Sequence, residues 1–340
     1  MISKQDISVV VPAYNRPDEL RELLRSVLNQ TMVPGEIVIV EDCSPEREAL
    51  REVCRSLAAE CARAGIRLNL IENEVNLGFD RNLRKCLGAP TTAWALLLGN
   101  DDLLLPNAIE DTTKFLATHD VDVASRSFVR FSDDINTPLG VSRVTDTDTV
   151  FKAGEASSGM IFRTGAFMGG LVFNVEFCRR HESTAYDGTL YYQIYLFALA
   201  FCSKGIGYIA APIAAGRSGN PPMFGSADNE KGVHVPGAYT AAGRSKMWQG
   251  VLSIIGDRQA ASGIALLPQI RQELMARQAF HIFEMNAGAG RGPNGDLRRE
   301  LKRLDLFDHP VPRFFYTLNV VLGRHALHVY RLCRILMQRK

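Results

Sequence analysis

Residues 7–17 read Ile7-Ser8-Val9-Val10-Val11-Pro12-Ala13-Tyr14-Asn15-Arg16-Pro17. The β-branched run at 7–12 is typical of a strand that is buried on both faces of a parallel sheet. Apolar residues at helical spacing over 17–30 predict a helix directly after the strand, and Pro17 suits its first turn. A strand that passes through a polar loop into a helix is the opening unit of an α/β fold.

The same unit recurs along the first part of the chain, which alternates strands with amphipathic helices. Strands are predicted at 36–40, 67–71 and 93–98, and helices at 46–64 and 79–88. Such alternation indicates a parallel sheet with right-handed crossovers. Farther along, we expect helices at 106–118 and 188–203, strands at 121–131 and 170–174, a flexible excursion at 132–158 and a mobile loop at 216–230. From about residue 240 onward the pattern is helical.

The composition is that of a folded globular protein. The 340 residues are 46% hydrophobic and 22% charged, with a net charge of +2, which excludes disordered and coiled-coil classes and gives no general attraction to nucleic acid. The 7 cysteines have no paired short spacing, so a reducing compartment is favoured over a disulfide framework or a zinc site. With no room for a signal peptide and no long apolar run, we expect a soluble cytoplasmic protein.

Positive charge is concentrated at the end of the chain. Residues 313–340 contain five arginines and one lysine but no acidic residue, and apolar residues are interleaved with them at loosely helical spacing. A basic amphipathic helix of this kind can lie in the interface of an anionic membrane, which predicts peripheral binding at the inner face of the plasma membrane. The alternative is a terminal helix that packs on its own domain with its arginines outward.

Polar residues follow the predicted strands, where parallel sheets bind their ligands. The adjacent Asp101 and Asp102 lie between apolar runs and suit Mg²⁺ or Mn²⁺. The alternatives are a turn with solvated acids or an N-cap for the helix at 106. After the second strand, Asp42 can accept hydrogen bonds from a base or a ribose, or it caps the helix that follows Ser44. Arg217 lies in the predicted Gly/Pro loop and either closes over a diphosphate or is solvated.

Five segments, taken in order, resemble the family 2 glycosyltransferases with the GT-A fold. They are Val9–Arg16, Leu24–Thr31, Ile37–Ser44, Asn76–Asn82 and Gly99–Asp102. The resemblance covers about residues 7–215 and implies an α/β, Rossmann-like and mostly parallel central sheet flanked by helices. We therefore expect a nucleotide-sugar-binding half at 1–105, an acceptor-binding and catalytic half of the same domain at 106–230, and a helical region at 231–340 that ends in the basic tail.

The resemblance also implies roles for individual residues in binding a nucleotide-sugar donor. Asp102 would ligate the divalent cation, although Asn100 stands where the family often has an acidic residue. The residues expected to bind the donor, together with Arg217, are Pro12, Ala13, Tyr14, Asn15, Asp42, Asn82 and Asp101.

Inverting members of this family need a carboxylate that takes the proton of the acceptor hydroxyl. Asp187 fits the place and spacing that the resemblance implies, six residues before Gln193, a position where the family more often has arginine. The alternative is that Asp187 caps a helix, and Glu182 and His181 are nearby rivals for the role of base.

These observations predict an inverting hexosyl- or deoxyhexosyltransferase that depends on Mg²⁺ or Mn²⁺. It would pass a sugar from a nucleotide-diphosphate sugar to a hydroxyl of a lipid-linked saccharide, in the assembly of polysaccharide, O-antigen or capsule, with no nucleic-acid partner. One alternative is a catalytically inactive scaffold that binds a nucleotide sugar. A nucleotidyltransferase is a weaker alternative, because residues 12–16 lack the glycine-rich basic loop that it would need after its first strand.

Overall fold

The computed structural model describes the backbone of residues 3–338, and its side chains are described up to residue 333 except at position 4. The end of the predicted tail therefore lies outside the described residues. The strands are β1 Ile7–Ala13, β2 Glu36–Glu41, β3 Arg67–Glu72, β4 Trp94–Leu97, β5 Leu103–Leu104, β6 Val123–Phe131, β7 Gly140–Ser142, β8 Thr149–Phe151, β9 Leu171–Asn174 and β10 Ile206–Arg217.

Helices flank the strands and form the C-terminal region. They are α1 Pro17–Leu28, α2 Arg47–Arg63, α3 Phe79–Gly88, α4 Ala108–Thr118, α5 Gly159–Gly165, α6 Val175–Arg180, α7 Tyr192–Phe201, α8 Ala241–Ser262, α9 Leu267–Glu273, α10 Ala279–Met285, α11 Arg291–Arg303, α12 Pro310–Leu322 and α13 Ala326–Gln338. A π-helical turn at Leu274–Gln278 joins α9 to α10. Among the described residues, no helix is both long and apolar enough to span a membrane.

Within the described part of the chain, the strands form one mixed sheet. Its order is β3-β2-β1-β4-β9-β6-β10-β5, with β7 paired to β6 and β8 to β10. The first four strands run parallel to one another, as predicted. Strand β9 is antiparallel to both β4 and β6, and β10 returns to a parallel pairing with β6. The carboxyl ends of β1, β2, β3 and β4 therefore meet at one edge.

Alternate residues of the central strands enter two hydrophobic cores on opposite faces of the sheet. Val9 and Val11 of β1 pack with residues of α1 and α2, whereas Val10 belongs to the core that includes α7, α8, α10 and α13. Burial on both faces is the reason that β1 and β2 are continuous apolar runs. The C-terminal helices share this second core with the sheet, so they complete the same hydrophobic unit.

Several sequence-based expectations needed correction. The excursion at 132–158 contains the strands β7 and β8, and α5 and α6 were not predicted. These elements have seven residues or fewer, too few for the hydrophobic period to show. The predicted loop at 216–230 begins later than expected, because Gly216 and Arg217 are the last residues of β10.

Candidate active site

The loop between β1 and α1 adopts an unusual backbone conformation that directs Arg16 into the site. Asn15 and Arg16 have φ values of 55° and 63°, in the left-handed region that non-glycine residues seldom adopt. Arg16 Nη1 lies 2.5 Å from Asp101 Oδ2, and the second terminal nitrogen donates to the carbonyl of Pro221. Arg16 therefore connects the ends of β1 and β4 with the loop that follows β10.

Two neighbouring cavities open at this edge of the sheet. The outer cavity is bordered by the ends of β1 and β2, and the inner cavity lies over Asp102 and reaches α7 and α8. Arg16 and Asp101 border both cavities. Of the residues predicted from the sequence, the outer cavity is lined by Pro12, Ala13, Tyr14, Asp42 and Asn82, and the inner cavity by Asp102 and Arg217.

Asp42 holds the loop after β3 against the outer cavity. Its Oδ1 accepts hydrogen bonds from Asn73 Nδ2 at 2.7 Å and Leu77 N at 2.8 Å, and its Oδ2 accepts one from Gly78 N at 3.0 Å. Burial raises the pKa of Asp42, while these hydrogen bonds act in the opposite direction. The carboxylate is therefore fixed in position at the wall of the cavity.

Two of the predicted asparagines act in the surrounding network. Asn82 Oδ1 accepts from Asn73 Nδ2 at 2.9 Å, and Asn82 Nδ2 donates to the carbonyl of Val40 at 3.1 Å. Asn15 does not line either cavity, because its side-chain oxygen accepts from Glu46 N at 3.3 Å. Asn100 Nδ2 donates to the Asn15 carbonyl at 2.9 Å, so this amide braces the loop after β1.

Asp101 and Asp102 have different surroundings. Asp101 accepts from Asn220 Nδ2 at 2.8 Å in addition to its ion pair with Arg16. Asp102 is buried at the floor of the inner cavity, where its Oδ1 accepts from Arg217 N at 3.2 Å. Burial and the neighbouring charge of Asp101 raise the pKa of Asp102, whereas the Arg217 N–H and the charge of Arg126 lower it.

The surroundings of Asp102 fit a divalent cation. The pKa of Asp102 stays raised despite the charge of Arg126, so its buried carboxylate is only partly compensated, and a bound cation would supply further positive charge. A Cβ atom at Gly169 would collide with the Asp102 carboxylate, so the glycine leaves room for it. The described residues contain no group of three or more His, Cys, Asp or Glu side chains placed to hold a metal. Phosphate oxygens and water would therefore have to complete the coordination, as is common for Mg²⁺.

Arg217 is fixed by the sheet instead of lying in a mobile loop. Its Nε donates to the Asp101 carbonyl at 3.1 Å, and its guanidinium carbon lies 4.6 Å from the centre of the Phe131 ring. Its Nη2 pairs with Glu22. These contacts place a cation at the inner cavity without a closing movement.

Asp187 is held outside both cavities. Its Oδ2 lies 3.0 Å from Arg81 Nε, and its Oδ1 is ion paired with Arg84. This geometry does not place Asp187 at the wall of either cavity, and its role as the base stays a prediction. The rivals Glu182 and His181 do not line the cavities either.

Asp187 does not cap a helix either. Helix α7 begins at Tyr192, four residues later than predicted, and Asp80 from α3 caps it. Asp80 Oδ2 accepts from Leu190 N at 2.8 Å and its Oδ1 accepts from Tyr192 N at 3.0 Å. The capping carboxylate thus comes from a residue more than a hundred positions earlier in the chain.

The sequence did not identify several residues that shape the cavities. Glu230 is buried and accepts from Phe79 N at 2.7 Å and Gly225 N at 2.6 Å, which ties the loop after β10 to the start of α3. Arg244 from α8 lines the inner cavity beside Tyr239. A signal for Arg244 was present, since residues 231–256 contain no acidic residue that could pair with it locally.

The comparison with protein families identifies the part of the chain that contains the first strands of the sheet. The family described as Glycosyl transferase family 2 matches residues 8–176. The chain belongs to glycosyltransferase family 2. An uncharacterized protein of Mycobacterium tuberculosis is 34% identical over 142 residues, 42% of this chain and 42% of the relative. An uncharacterized glycosyltransferase of Haemophilus influenzae is 33% identical over 106 residues, 31% of this chain and 32% of the relative. These matches span less than half the length of either relative.

Solved structures extend the likeness to the whole fold of this family 2 chain. Residues 1–349 of S. aureus TarS, in complex with UDP-GlcNAc, give a TM-score of 0.61 at 14% identity and cover 96% of this chain and 92% of that one. This likeness confirms the predicted GT-A fold. The part of the chain matched by the family ends at residue 176, so Gln193, Arg217 and Arg244 reach the inner cavity from beyond it.

Proposed function

We propose that this protein transfers a hexosyl or deoxyhexosyl group from a nucleotide-diphosphate sugar to a hydroxyl of a saccharide acceptor, with inversion at the anomeric carbon. The observation that carries the proposal is the pair of adjoining cavities, which share Asp101 and Arg16 at the carboxyl ends of the strands. Ligands of α/β sheets bind at this edge. TarS, which has the same fold, binds UDP and UDP-GlcNAc.

The outer cavity is proposed to hold the nucleoside. Pro12, Ala13 and Tyr14 supply its wall at the end of β1, and Asp42 supplies an oriented carboxylate opposite a base or ribose. The ring of Tyr14 offers an aromatic surface, and the Asp42 oxygens accept hydrogen bonds from N–H or O–H groups. Because several hydrogen bonds fix the Asp42 carboxylate, its orientation does not have to be selected during binding.

The inner cavity is proposed to hold the diphosphate and the transferred sugar. Arg16 and Arg217 place guanidinium groups beside Asp101, where a diphosphate would extend from the nucleoside. Asp102 would hold a Mg²⁺ or Mn²⁺ ion, which supplies positive charge to the diphosphate when it is bound. Arginine pairs well with phosphate oxygens because its N–H groups form a planar fork.

The proposed reaction is a single displacement. The acceptor oxygen forms a bond to the anomeric carbon on the face opposite the diphosphate, the bond to the diphosphate oxygen breaks, and the configuration inverts. The acceptor proton leaves the hydroxyl in the same process, and Asp187 is the group that the sequence proposes for it. Preorganised cations stabilise the negative charge that develops on the leaving diphosphate.

Thermal shift measurements with a panel of nucleoside diphosphates, in Mn²⁺ or in EDTA, test the donor site. Asp102→Ala is the variant, and Asp146→Ala, at an exposed position, is the matched control. We expect one nucleotide to stabilise the wild type and the control in the presence of metal, by about 2.7 kcal/mol at a hundredfold excess over its Kd, and to have no effect on Asp102→Ala. An absence of any shift in the wild type would refute the proposed donor site. Nucleotide binding without metal-dependent hydrolysis of the matching nucleotide sugar would instead favour the scaffold alternative.

The C-terminal helices support a lipid-linked acceptor and a place at a membrane surface. Phe314, Val321 and Leu332 are 60%, 72% and 61% exposed, although other residues of α12 and α13 pack into the core. Arg324, in the short turn between these helices, and Arg331 of α13 are also exposed. Both sequence-based alternatives thus have support, since the helices pack on the domain through one face and present apolar and basic groups on another.

Sedimentation with lipid vesicles tests this surface. We propose that the wild type binds vesicles that contain phosphatidylglycerol more strongly than neutral phosphatidylcholine vesicles, and that Phe314→Ser with Val321→Ser weakens the binding. Val141→Ser is the control, since Val141 is 51% exposed on β7. Equal sedimentation of all proteins with both kinds of vesicle would leave these helices with a packing role alone.

A further inference from the structure

Arg244 is a cation of the inner cavity that forms no ion pair with a described carboxylate. It lies in the first turn of α8, its Nη1 donates to the hydroxyl of Tyr191 at 3.3 Å, and its guanidinium carbon lies 4.4 Å from the centre of the Tyr239 ring. By contrast, Arg16 pairs with Asp101 and Arg217 pairs with Glu22. Among the described residues, no carboxylate forms an ion pair with Arg244. Its remaining N–H groups are therefore available to an anion.

Gln193 is a second unpartnered group in the same cavity. The residue is 2% exposed in the first turn of α7, and its Oε1 is buried with no hydrogen-bond partner among the described residues. A buried carbonyl oxygen without a donor is unfavourable, and a ligand hydroxyl would relieve that state. A glutamine oxygen accepts hydrogen bonds, so it requires an N–H or O–H group from the ligand.

We propose that Arg244 and Gln193 form a subsite for a sugar phosphate in the inner cavity. Arg244 donates hydrogen bonds to a phosphate oxygen, and Gln193 Oε1 accepts one from a hydroxyl of the sugar. This inference rests on the proposed function, and it names residues that would recognise the transferred sugar and its phosphate. Tyr191 and Tyr239 position the guanidinium through the hydrogen bond and the ring contact described above.

The phosphate could come from two sources, because a donor diphosphate and a phosphate-linked acceptor present the same oxygens. The inner cavity adjoins the outer cavity proposed for the nucleoside and shares Asp101 with it, which favours the donor. The transferred sugar and its phosphate are the parts of the donor that lie farthest from the base. We therefore expect the sugar and its phosphate to lie against the wall of the inner cavity that α7 and α8 supply.

Isothermal titration with the intact protein tests the subsite. The variants are Arg244→Ala, Arg244→Lys and Gln193→Leu, and the control is Arg298→Ala. Arg298 is also held over aromatic rings, 5.4 Å from that of Phe307 and 5.2 Å from that of Tyr316, but it does not line either cavity. The probes are the nucleoside mono- and diphosphates of the base that the wild type selects, the matching nucleotide sugars, and glucose 1-phosphate.

For Arg244→Ala we expect the affinity for the diphosphate and the nucleotide sugar to fall about tenfold to hundredfold, with little change for the monophosphate. Arg244→Lys should recover part of this loss, and Arg298→Ala should bind like the wild type. Gln193→Leu should weaken binding of the nucleotide sugar but not of the nucleoside diphosphate. Its thermal stability should equal or exceed that of the wild type, because leucine removes an unpartnered polar atom. If Gln193 had only a structural role, Gln193→Leu would instead lower the thermal stability and leave ligand binding unchanged.

The outcomes distinguish the two phosphate sources. They also distinguish a failure of the proposed subsite from a failure of the proposed function. Loss of affinity for glucose 1-phosphate, with the diphosphate unaffected, would assign the subsite to a phosphate-linked acceptor. Unchanged affinity for every probe in Arg244→Ala and Gln193→Leu would overturn the inference while leaving the donor site intact. A wild type that binds no nucleotide at all would refute the proposed function itself, and the subsite with it.

Discussion

Replacing Glu230 with glutamine should loosen the loop that joins β10 to α8. The carboxylate accepts hydrogen bonds from Phe79 N and Gly225 N, one on each oxygen, and the residue is 2% exposed. Glutamine is almost the same size, but its single carbonyl oxygen can satisfy one of these donors. The other N–H then faces the NH₂ group of the new side chain. The substitution therefore changes hydrogen bonding at nearly constant volume.

The expected loss follows from the chemistry of this contact. A buried N–H left without an acceptor is unfavourable by about 1–3 kcal/mol, so we take about 2 kcal/mol. An unfolding entropy of about 2.1 cal/mol/K per residue gives a Tm decrease of about 3 °C for a chain of this length. Because the loop contributes Pro222, Phe224 and Tyr239 to both cavities, donor affinity should fall as well. If the entire loss of about 2 kcal/mol acts on the loop conformation that binds the donor, the affinity for the donor falls by at most about 30-fold.

Differential scanning calorimetry and titration with the selected nucleoside diphosphate provide the two readings. Glu176→Gln, at an exposed position of α6, controls for the loss of one negative charge. A Tm and a Kd for Glu230→Gln that both match those of the control would refute the view that Glu230 fastens this loop. A lower Tm with unchanged Kd would show that the loop is stabilised by Glu230 but does not shape the donor site.

Three further substitutions test other parts of the structure. Asp187→Asn should lower kcat more than a hundredfold with little change in donor Kd, because the acceptor loses its base, and should lower the Tm, because two arginines lose their charged partner. A decrease in kcat of less than tenfold would leave Asp187 with a structural role alone. Burial raises the pKa of Asp80 from 3.8 to about 7. Between about pH 4 and pH 7 the native state therefore binds more protons than the unfolded state, and the free energy of unfolding falls as the pH rises, by up to about 4 kcal/mol. Asp80→Asn should therefore flatten the dependence of Tm on pH between 5 and 7, and an unchanged slope would contradict this pKa. Gly169→Ala should displace Asp102 and weaken metal-dependent nucleotide binding at least tenfold. Gly256→Ala should bind normally, because the atom nearest to its added Cβ, Leu267 Cδ1, lies 4.0 Å away.

The first four strands and three helices of the chain could be predicted from the sequence because each is long and periodic. The elements β2 and α3, for example, lie within a residue of their expected bounds. The antiparallel strand β9 could not be oriented in this way, since an apolar run of four residues has no direction in its pattern. Direction depends on which strands lie beside it in the sheet.

The donor side of the candidate site was also accessible from the sequence, because its residues directly follow strands. Asp42, Asp101 and Asp102 reach the cavities for that reason. The contacts of Asp187 were not accessible in this way, because its place was inferred from spacing along the chain, whereas Arg81 and Arg84 of α3 determine what it contacts. Contacts between residues a hundred positions apart have no local signature.

The strand order also has a consequence for the time at which the cavities form during synthesis. Strand β4 ends at Leu97, but its neighbour in the sheet, β9, begins at Leu171, and β10 is complete only at Arg217. At about 5–20 residues per second, the ribosome needs roughly 6–24 s to add the 120 residues that separate Leu97 from Arg217. Over the first 77 of these residues, up to Asn174 at the end of β9, one edge of β4 has no partner in the sheet, and an unpaired strand edge is open to pairing with another molecule.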